Sequence, residues 1–348
     1  MIDQLTLTGF RNHASLRIAA GGRNVALAGA NGAGKTNVLE ALSLLSGGSG
    51  FRGAQSADIA RFGTGEYAVA ARFCGGDDIC VFWTGGGHRR AKINGESAPL
   101  SELPPRARVV WLTSAEDMLF SGPPSGRRAF FDNLVAGFDS RHTGRAARLA
   151  KLLSERAFAL KNGADENWLG GIEGNIVSLA SAVADSRVRY TAELNHFFTE
   201  GSLGLAGMLE QRIVDGEKAG DFEDFYLKYL SENRFLVADK MTIDGAHRTD
   251  FSVRNNRLGL PAEKTSSGQQ KLLLNQLVVA NAKLLRAKNP ERPILVLLDE
   301  ADSHLDENAR GVLFAALADI GAQIWLSGTN PSAFASVPNC QTVVIRGS

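Results

Sequence analysis

The first part of the chain alternates apolar and polar residues and then changes to a helical period. QLTLTGF and SLRIAA alternate with period 2, and NVALAG is a short apolar run that ends in glycine. KTNVLEALSLL then repeats apolar residues at helical spacing. Because period 2 is typical of strands and a period near 3.6 is typical of helices, this pattern predicts three strands followed by a helix.

Three further alternating runs predict an antiparallel meander. They are EYAVAARF, DICVFW and RRAKING, and the glycine-containing stretches CGGDD and TGGGH separate them. Glycine turns between alternating runs are typical of antiparallel strands. After RVVWLT, from about Ser114 to Leu236, the pattern is mostly helical. We therefore predict an inserted all-helical domain over residues 114–236.

The last third of the chain returns to strands and helices in alternation. HRTDFSV predicts a strand, GQQKLLLNQLVVANAKLL a long helix, and PILVLLDE and AQIWLSG two buried strands with the helix NARGVLFAALADI between them. A strand, helix and strand in this order imply a parallel sheet covered by helices. The predicted fold class is α/β, with residues 1–113 and 237–348 forming one domain around the helical insertion.

Composition excludes several classes of protein. The chain has 348 residues, 44% hydrophobic and 22% charged, which is ordinary globular material. Its three cysteines fit neither a disulfide set nor a metal-ligand spacing. We expect a cytoplasmic protein, since the N-terminus lacks a signal-peptide pattern and no apolar run approaches a membrane span. The net charge of +1 does not by itself indicate binding to nucleic acid.

A phosphate-binding loop follows the third predicted strand. GANGAGKT fits G-x-x-x-x-G-K-[ST] between an apolar strand and an amphipathic helix, which is the context that this motif requires. Glycines let backbone amides turn toward an anion, and the helix N-terminus adds a positive dipole end. The motif predicts binding of ATP with Mg²⁺; a glycine-rich turn without a ligand is the alternative. The loop residues are Gly29, Ala30, Asn31, Gly32, Ala33, Gly34, Lys35, for the β- and γ-phosphates, and Thr36, for the metal.

Two acidic residues follow the buried strand PILVLL. Asp299 is the candidate Walker B carboxylate that would hold Mg²⁺ together with Thr36. Glu300 comes next, where a carboxylate could polarise the water that attacks the γ-phosphate. Two solvated acids at a strand end are the alternative.

A polar turn, SSGQ, opens the long C-terminal helix. A capping serine would explain one hydroxyl but leaves the glycine unexplained. In ABC-type ATPases a signature of form S-x-G-Q faces the γ-phosphate of a nucleotide bound to the opposite subunit, as an anion-binding helix terminus used in trans. We therefore expect Ser266, Gly268 and Gln269 to contact nucleotide in trans. DSHLD matches a D-loop, with Asp306 as a nucleotide contact. SGT, Ser327 to Thr329, ends the next strand and fits a switch position that would touch the γ-phosphate.

These motifs together resemble the RecF family of bacterial recombination mediators. The resemblance rests on LTLTGFRNH, GANGAGKTNVLEAL, GFRG, TSAEDMLFSGPPSGRRAFFD, GAHRTDF, TSSGQQKLLL and LLDEADSHLD, in this order from end to end. It implies an ABC-type ATPase head with an inserted helical domain and an ATP-dependent homodimer on double-stranded and gapped DNA. It also implies slow hydrolysis, and cooperation with RecR and RecO in loading RecA near the nucleoid. Ala246 departs from the family's usual proline, and Glu300 from the aspartate of many relatives.

Basic residues outnumber acidic ones between Pro123 and Lys161, a segment that also contains Arg156. These basic side chains could neutralise DNA phosphates, which would give binding to duplex DNA without recognition of the bases. The alternative is a solvated helix face, which is the more frequent role of a charged stripe on a helix. The candidate DNA contacts are Arg127, Arg128, Arg141, Arg145 and Arg148.

Three other classes remain open. The first is another ABC-type head. An SMC head would need long coiled coils, and this sequence has no sustained heptads. A transporter subunit has far fewer residues between the P-loop and the signature than this chain has. A P-loop small-molecule kinase would share the loop but has no use for a signature in trans. A non-hydrolysing scaffold would bind DNA without needing Glu300.

Overall fold

The computed structural model describes residues 1–104, 106–238, 243–301 and 307–347. The chain divides into two compact units. Unit 1 contains Met1–Met118 and Thr265–Ser348, and unit 2 contains Leu119–Lys264. Within the described ranges, no helix is long and apolar enough to cross a membrane.

The antiparallel sheet of unit 1 confirms the first two predicted N-terminal strands and the meander. Among the described residues its six strands pair in the order β2-β1-β4-β5-β6-β7. Leu7 lies opposite Leu16 on one side and Val69 on the other, and all three point toward or border the core. The strands are β1 (Ile2–Phe10), β2 (His13–Ala19), β4 (Tyr67–Phe73), β5 (Asp78–Trp83), β6 (Arg90–Ile93) and β7 (Glu96–Ala98).

The second sheet of unit 1 is parallel, as predicted. In the described part of the chain it has five strands in the order β14-β3-β13-β12-β8. The strands β3, β12 and β13 are buried along their whole length, which explains their continuous apolar runs. The strands are β3 (Asn24–Ala28), β8 (Arg108–Leu112), β12 (Ile294–Leu298), β13 (Gln323–Gly328) and β14 (Cys340–Val344).

Helices connect and cover this parallel sheet. They are α1 (Lys35–Ser43), α9 (Ser267–Lys288) and α10 (Glu307–Asp319). The short α2 (Ser56–Ile59) lies beside the end of β1 instead, where the Arg11 amide donates to the Ile59 carbonyl. One apolar core joins both sheets and α1, with Leu5, Leu39, Leu42, Leu295 and Trp325 among its members. Because β3, β12 and β13 are parallel, their carboxyl ends meet at one edge of the sheet, where the loops that follow them come together.

Unit 2 contains helices and an antiparallel sheet. Its core includes Ile176, Ala180, Phe222, Tyr226 and Leu230. The helices are α3 (Pro124–Phe138), α4 (His142–Lys161), α5 (Glu166–Asn195), α6 (Met208–Val214), α7 (Ala219–Glu232) and α8 (Phe235–Ala238). The strands, three in the described residues, are β9 (Gly201–Ala206), β10 (Asp250–Asn255) and β11 (Leu260–Pro261), in the order β11-β10-β9.

The prediction of an all-helical insertion over residues 114–236 was therefore wrong in content and in extent. The strand predicted from HRTDFSV pairs with β9 inside unit 2, with Val253 opposite Leu203. β9 has the sequence GSLGLA, whose two glycines weaken any strand signal. Pairing between segments far apart in sequence, which periodicity does not detect, decides that this segment is a strand and that unit 2 extends to Lys264.

Candidate nucleotide-binding site

The P-loop turns tightly between β3 and α1. Gly34 has φ of 102° and precedes the first helical residue, Lys35. A Cβ on Gly34 would lie 2.5 Å from the side chain of Asn12, so this position requires glycine both for its backbone conformation and for space. The Lys35 Nζ donates to the carbonyl oxygens of Gly29 at 2.8 Å and Ala30 at 2.9 Å. Its ammonium group is therefore held against the loop where the motif predicts a phosphate.

The turn between β1 and β2 packs directly against the P-loop. The Asn12 Nδ2 donates to the carbonyl of Ala33 at 3.1 Å, and the His13 Nε2 lies 3.1 Å from the carbonyl oxygen of Gly34. The Asn37 side chain of α1 donates to the Asn12 Oδ1 at 2.7 Å. Sequence reasoning identified RNH only as part of a family motif and missed this role. The signal in the sequence was the run of three polar residues, Arg11, Asn12 and His13, directly after β1.

A buried glutamate holds α1 in place. The Glu40 side chain is 1% exposed and accepts hydrogen bonds from the Arg11 Nε and the Arg52 NH1, each at 2.9 Å. The hydrogen bonds to Glu40 raise the pKa of Arg11. A buried carboxylate with two arginines is satisfied in charge and in hydrogen bonding. Glu40 thus links α1 to the β1–β2 turn and to the GFRG segment, a contact that the sequence did not reveal.

Asp299 lies at the carboxyl edge of the parallel sheet, beside the P-loop helix. The Thr36 hydroxyl of α1 donates to the Asp299 Oδ1 at 2.9 Å, and the buried Ser327 hydroxyl of β13 donates to the same oxygen. The structure therefore brings Thr36 and Asp299 together, as the sequence predicted, and Lys35 directly precedes Thr36 in α1.

This donor set fits Mg²⁺. A hydroxyl and a carboxylate are oxygen ligands of the kind that Mg²⁺ prefers, and Mg²⁺ usually takes its other ligands from water and substrate phosphates. Among the residues described, no group of three His, Cys, Asp or Glu side chains could hold a metal by itself. Thr36 and Asp299 are the residues that would hold the ion, together with a bound nucleotide.

Glu300 adopts an uncommon backbone conformation at the same edge. Its φ is 51°, in the left-handed region, and its amide donates to the Ser327 Oγ at 3.1 Å. The next amide, that of Ala301, donates to the Ser327 carbonyl at 2.9 Å. The Glu300 side chain is exposed, and the turn sets it beside Asp299 at the open edge of the sheet.

The SSGQ turn begins α9 with a capping box. The Gln269 amide donates to the Ser266 Oγ at 3.4 Å, and the Ser266 amide donates to the Gln269 Oε1 at 3.1 Å. A Cβ on Gly268 would face open space, so neither packing nor backbone strain explains this glycine. Within the described residues no hydrogen bond joins this turn to the P-loop. The predicted contact of Asp306, in the DSHLD segment, lies outside the described residues.

The five candidate arginines of unit 2 differ in exposure and in hydrogen bonding. Arg127 is 17% exposed and its Nε donates to the Asp250 Oδ1 at 3.0 Å, a hydrogen bond that raises the pKa of Arg127. The Arg145 NH1 lies 2.8 Å from the Asp139 Oδ2, and the Arg128 NH1 lies 3.5 Å from the carbonyl oxygen of Arg248.

Two of the candidate DNA contacts are exposed. Arg141 is 77% exposed beside Asp139, and Arg148 is exposed on α4. Arg156, which contributed to the basic excess in the sequence, is buried against Glu173 with 1% of its side chain exposed. It belongs to the core of unit 2, because its helix position faces α5 rather than solvent.

Among known proteins, the chain matches one family model and is similar to two RecF relatives. A family model described as "AAA domain, putative AbiEii toxin, Type IV TA system" matches residues 25–75. The chain is 38% identical over 355 residues to the DNA replication and repair protein RecF of Rhizobium etli strain CIAT 652, covering 97% of this chain and 94% of that protein. It is also 38% identical to the RecF protein of Mesorhizobium japonicum, covering 97% and 93% respectively.

Solved structures show the same fold. The recombination mediator protein RecF-ATPrS in the RecFOR pathway matches with a TM-score of 0.84 and 21% identity, over 99% of this chain and 97% of that one. The SmcHead bound to the C-winged helix domain of ScpA matches with a TM-score of 0.53 and 16% identity, over 99% and 94%.

The two sheets, the P-loop and the carboxylate at the strand edge define a protein of the P-loop α/β class, with a fold that the SMC heads also show. Identity of 38% along almost the whole length then decides the family within that class. The chain belongs to the RecF family.

Proposed function

We propose that this chain is an ATP-dependent DNA-binding switch of the RecF type. It binds ATP with Mg²⁺, dimerises on double-stranded or gapped DNA, and leaves after slow hydrolysis. In the cell it acts at the nucleoid and helps RecO and RecR to load RecA at single-strand gaps. The observation that carries the proposal is the 2.9 Å hydrogen bond from Thr36 to Asp299, which joins the P-loop helix to the carboxylate at the end of β12. Two further observations support it: the RecF name of similar proteins, and the similarity to the solved structure of RecF-ATP.

The chemistry follows from the positions of four side chains. Lys35 neutralises the β- and γ-phosphates from the loop, where two carbonyls already hold its ammonium group. Thr36 and Asp299 would hold Mg²⁺, and a bound ion there would neutralise developing charge on the phosphates. Glu300 accepts a proton from the attacking water, since its exposed carboxylate follows Asp299 directly. Hydrolysis then removes the γ-phosphate, the group that both subunits contact.

The trans contacts are part of the same proposal. Ser266, Gly268 and Gln269 face the γ-phosphate of the partner subunit's nucleotide, and Asp306 contacts it as well. The capping box supports this proposal, because it fixes the first turn of α9 and so orients the remaining free amides of the helix N-terminus. The open space at Gly268 lets a phosphate approach the backbone closely.

Mixing two inactive variants tests whether the site is shared between subunits. Lys35→Ala keeps an intact signature turn, and Ser266→Asp keeps an intact P-loop. Aspartate caps a helix as well as serine does, so Ser266→Asp adds a negative charge without removing the cap. Ser266→Asn is the matched control, since it caps equally well and is neutral.

The mixture is expected to regain ATPase activity that neither variant has alone, up to about one quarter of the wild-type rate for random pairing in a symmetric dimer. Ser266→Asn should keep more activity than Ser266→Asp. A mixture as inactive as its parts would contradict the shared site and favour a kinase or another single-subunit P-loop enzyme.

DNA contact is proposed for unit 2 through its exposed arginines. Arg141 and Arg148 are the strongest candidates because they are exposed. The weaker candidates are Arg127, Arg128 and Arg145, because each is only partly exposed and its guanidinium already donates a hydrogen bond. Removing a residue that contacts phosphate should weaken binding uniformly across sequences and reduce the salt dependence by about one counterion. Titration of duplex DNA at several salt concentrations measures both effects.

A further inference from the structure

A small cavity adjoins the proposed metal site on the side of α9. It lies between α9, α10 and the carboxyl ends of β8 and β12, and Asp299 lines it. Its volume is about 30 Å³, which exceeds the roughly 10–15 Å³ that one water molecule needs. Most of the wall is apolar, but Thr113, Asp117, Lys271 and Asn275 also contribute to it. The cavity therefore has both the room and the polar groups to hold an ordered water molecule.

Two residues of α9 bring neighbouring polar groups to this cavity. The Lys271 Nζ lies 3.5 Å from the Asp117 Oδ2. The Asn275 Nδ2 donates to the Lys271 carbonyl at 2.8 Å, and Asn275 is 7% exposed. Residues four apart share a helix face, so one face of α9 offers an ammonium group and a buried amide to the same space that Asp299 lines.

Asp299 has acceptor capacity beyond the bonds already described. The hydroxyls of Thr36 and Ser327 both donate to its Oδ1. In the described part of the chain no donor forms a hydrogen bond with its Oδ2. A carboxylate has about four acceptor sites, and carboxylates that ligate metals are usually oriented by further hydrogen bonds. A donor that reaches Asp299 from the cavity would orient this carboxylate.

We propose that a water molecule in this cavity bridges Asp299 to Lys271 and Asn275, and that these two residues position the metal-binding carboxylate. The inference rests on the proposed function, in which Asp299 holds Mg²⁺. It adds a link along α9: this helix begins at the Ser266 turn, and Asn275 lies about 12 Å along the helix axis from Ser267. One rigid element thus connects the turn that meets the partner subunit's nucleotide with the metal ligand of its own chain.

Metal binding measured without turnover tests the inference. Full-length protein is saturated with a non-hydrolysable ATP analogue and titrated with Mn²⁺, and free Mn²⁺ is followed by electron paramagnetic resonance. Lys271→Met removes the ammonium group at similar side-chain length, and Asn275→Leu removes the amide. Lys283→Met is the matched control, because Lys283 is an exposed lysine on the same helix.

Loss of a residue that orients a metal ligand typically costs 10–100-fold in metal affinity. Lys271→Met and Asn275→Leu are therefore expected to raise the Mn²⁺ midpoint at least about tenfold. Binding of the analogue in EDTA and the midpoint of Lys283→Met should not change. A merely structural role would lower the melting temperature and leave the Mn²⁺ midpoint where it is.

The outcomes separate this inference from the proposed function. If Lys271→Met, which alters a partly exposed side chain, keeps the wild-type Mn²⁺ midpoint, the inference is overturned even if Asn275→Leu fails to fold. If the wild-type protein itself binds no Mn²⁺ with the analogue, the proposed function fails and the inference fails with it. A raised midpoint in Lys271→Met with a normal midpoint in Lys283→Met supports both.

Discussion

Replacing Arg156 with methionine is expected to destabilise unit 2 strongly. The Arg156 Nε donates to the Glu173 Oε1 at 2.8 Å, and each side chain is 1% exposed. The Arg156 NH2 also donates to the Leu230 carbonyl at 2.6 Å. One guanidinium therefore links α4, α5 and α7. Methionine keeps the apolar stem but leaves a buried carboxylate without its most buried cation.

The magnitude follows from burial and from the partner that remains. Removing one member of a buried ion pair costs about 3–5 kcal/mol, because the other charge stays buried without compensation. Arg234 still contacts the Glu173 Oε2 at 2.6 Å, and its side chain is 24% exposed. This second cation compensates in part, so we expect a loss of about 3 kcal/mol, at the lower end of that range.

The assay must report on unit 2 alone, since a chain of two compact units does not guarantee two-state unfolding. Hydrogen exchange of peptides from α5 along a urea series provides this. Lys151→Met on the same helix is the matched control: Lys151 and Glu155 are 3.6 Å apart with 77% and 47% of their side chains exposed. An exposed pair contributes about 0–1 kcal/mol.

Equal effects of Arg156→Met and Lys151→Met would refute the reasoning. The double variant Arg156→Met with Glu173→Met provides a second check. It removes the stranded charge together with its partner, so it should be more stable than Arg156→Met alone. A double variant that is less stable than the single variant would mean that packing, and not charge burial, determines the loss.

Three further predictions concern acid stability, the P-loop and hydrolysis. Burial raises the pKa of Asp132, but hydrogen bonds from His142 and Arg187 outweigh it and lower this pKa from 3.8 to about 2. A depressed pKa in the folded state gives stability that is present above pH about 4 and is lost as the pH falls toward 2. In Asp132→Asn the urea concentration at the unfolding midpoint should therefore depend less on pH in that window. Gly34→Ala puts a Cβ 2.5 Å from a neighbouring side chain and should abolish ATP binding in calorimetry while leaving the circular dichroism native. Glu300→Gln should slow hydrolysis and prolong binding to DNA in single-molecule dwell times; an unchanged dwell time would favour a non-hydrolysing scaffold.

The elements that sequence reasoning predicted well are those with local signals. The alternation of β1, β4 and β5 and the apolar runs of β3, β12 and β13 reflect burial of one face or of both, which a short window of residues records. The P-loop motif likewise carries its own context of strand, glycines and helix. Parallel strands then bring Thr36 and Asp299 together although 263 positions separate them.

The features that sequence reasoning missed depend on contacts between distant segments. Glu40 gives no sign in the sequence that it will be buried between Arg11 and Arg52, and Arg156 reads like any other basic residue on a helix. Their roles are decided by which face of a helix meets which neighbour. A charged residue at a position that the helical period assigns to the interior is the one signal that could have identified such pairs.

The capping box at Ser266 raises the question of whether capping alone explains the signature turn. The box uses the Ser266 side chain for the Gln269 amide, and the Gln269 side chain for the Ser266 amide. A helix N-terminus has about four orphan amides, and this box leaves those of Ser267 and Gly268 without a side-chain acceptor of that kind. These two amides point out of a turn that the box has fixed, at a glycine whose missing Cβ would face open space. Capping and phosphate contact are thus compatible uses of one motif, because the first orients the donors that the second needs. Asparagine and aspartate at position 266 both preserve helix capping, and they differ in the negative charge that a bound phosphate would meet. Comparing the two variants therefore separates capping from phosphate contact in one experiment.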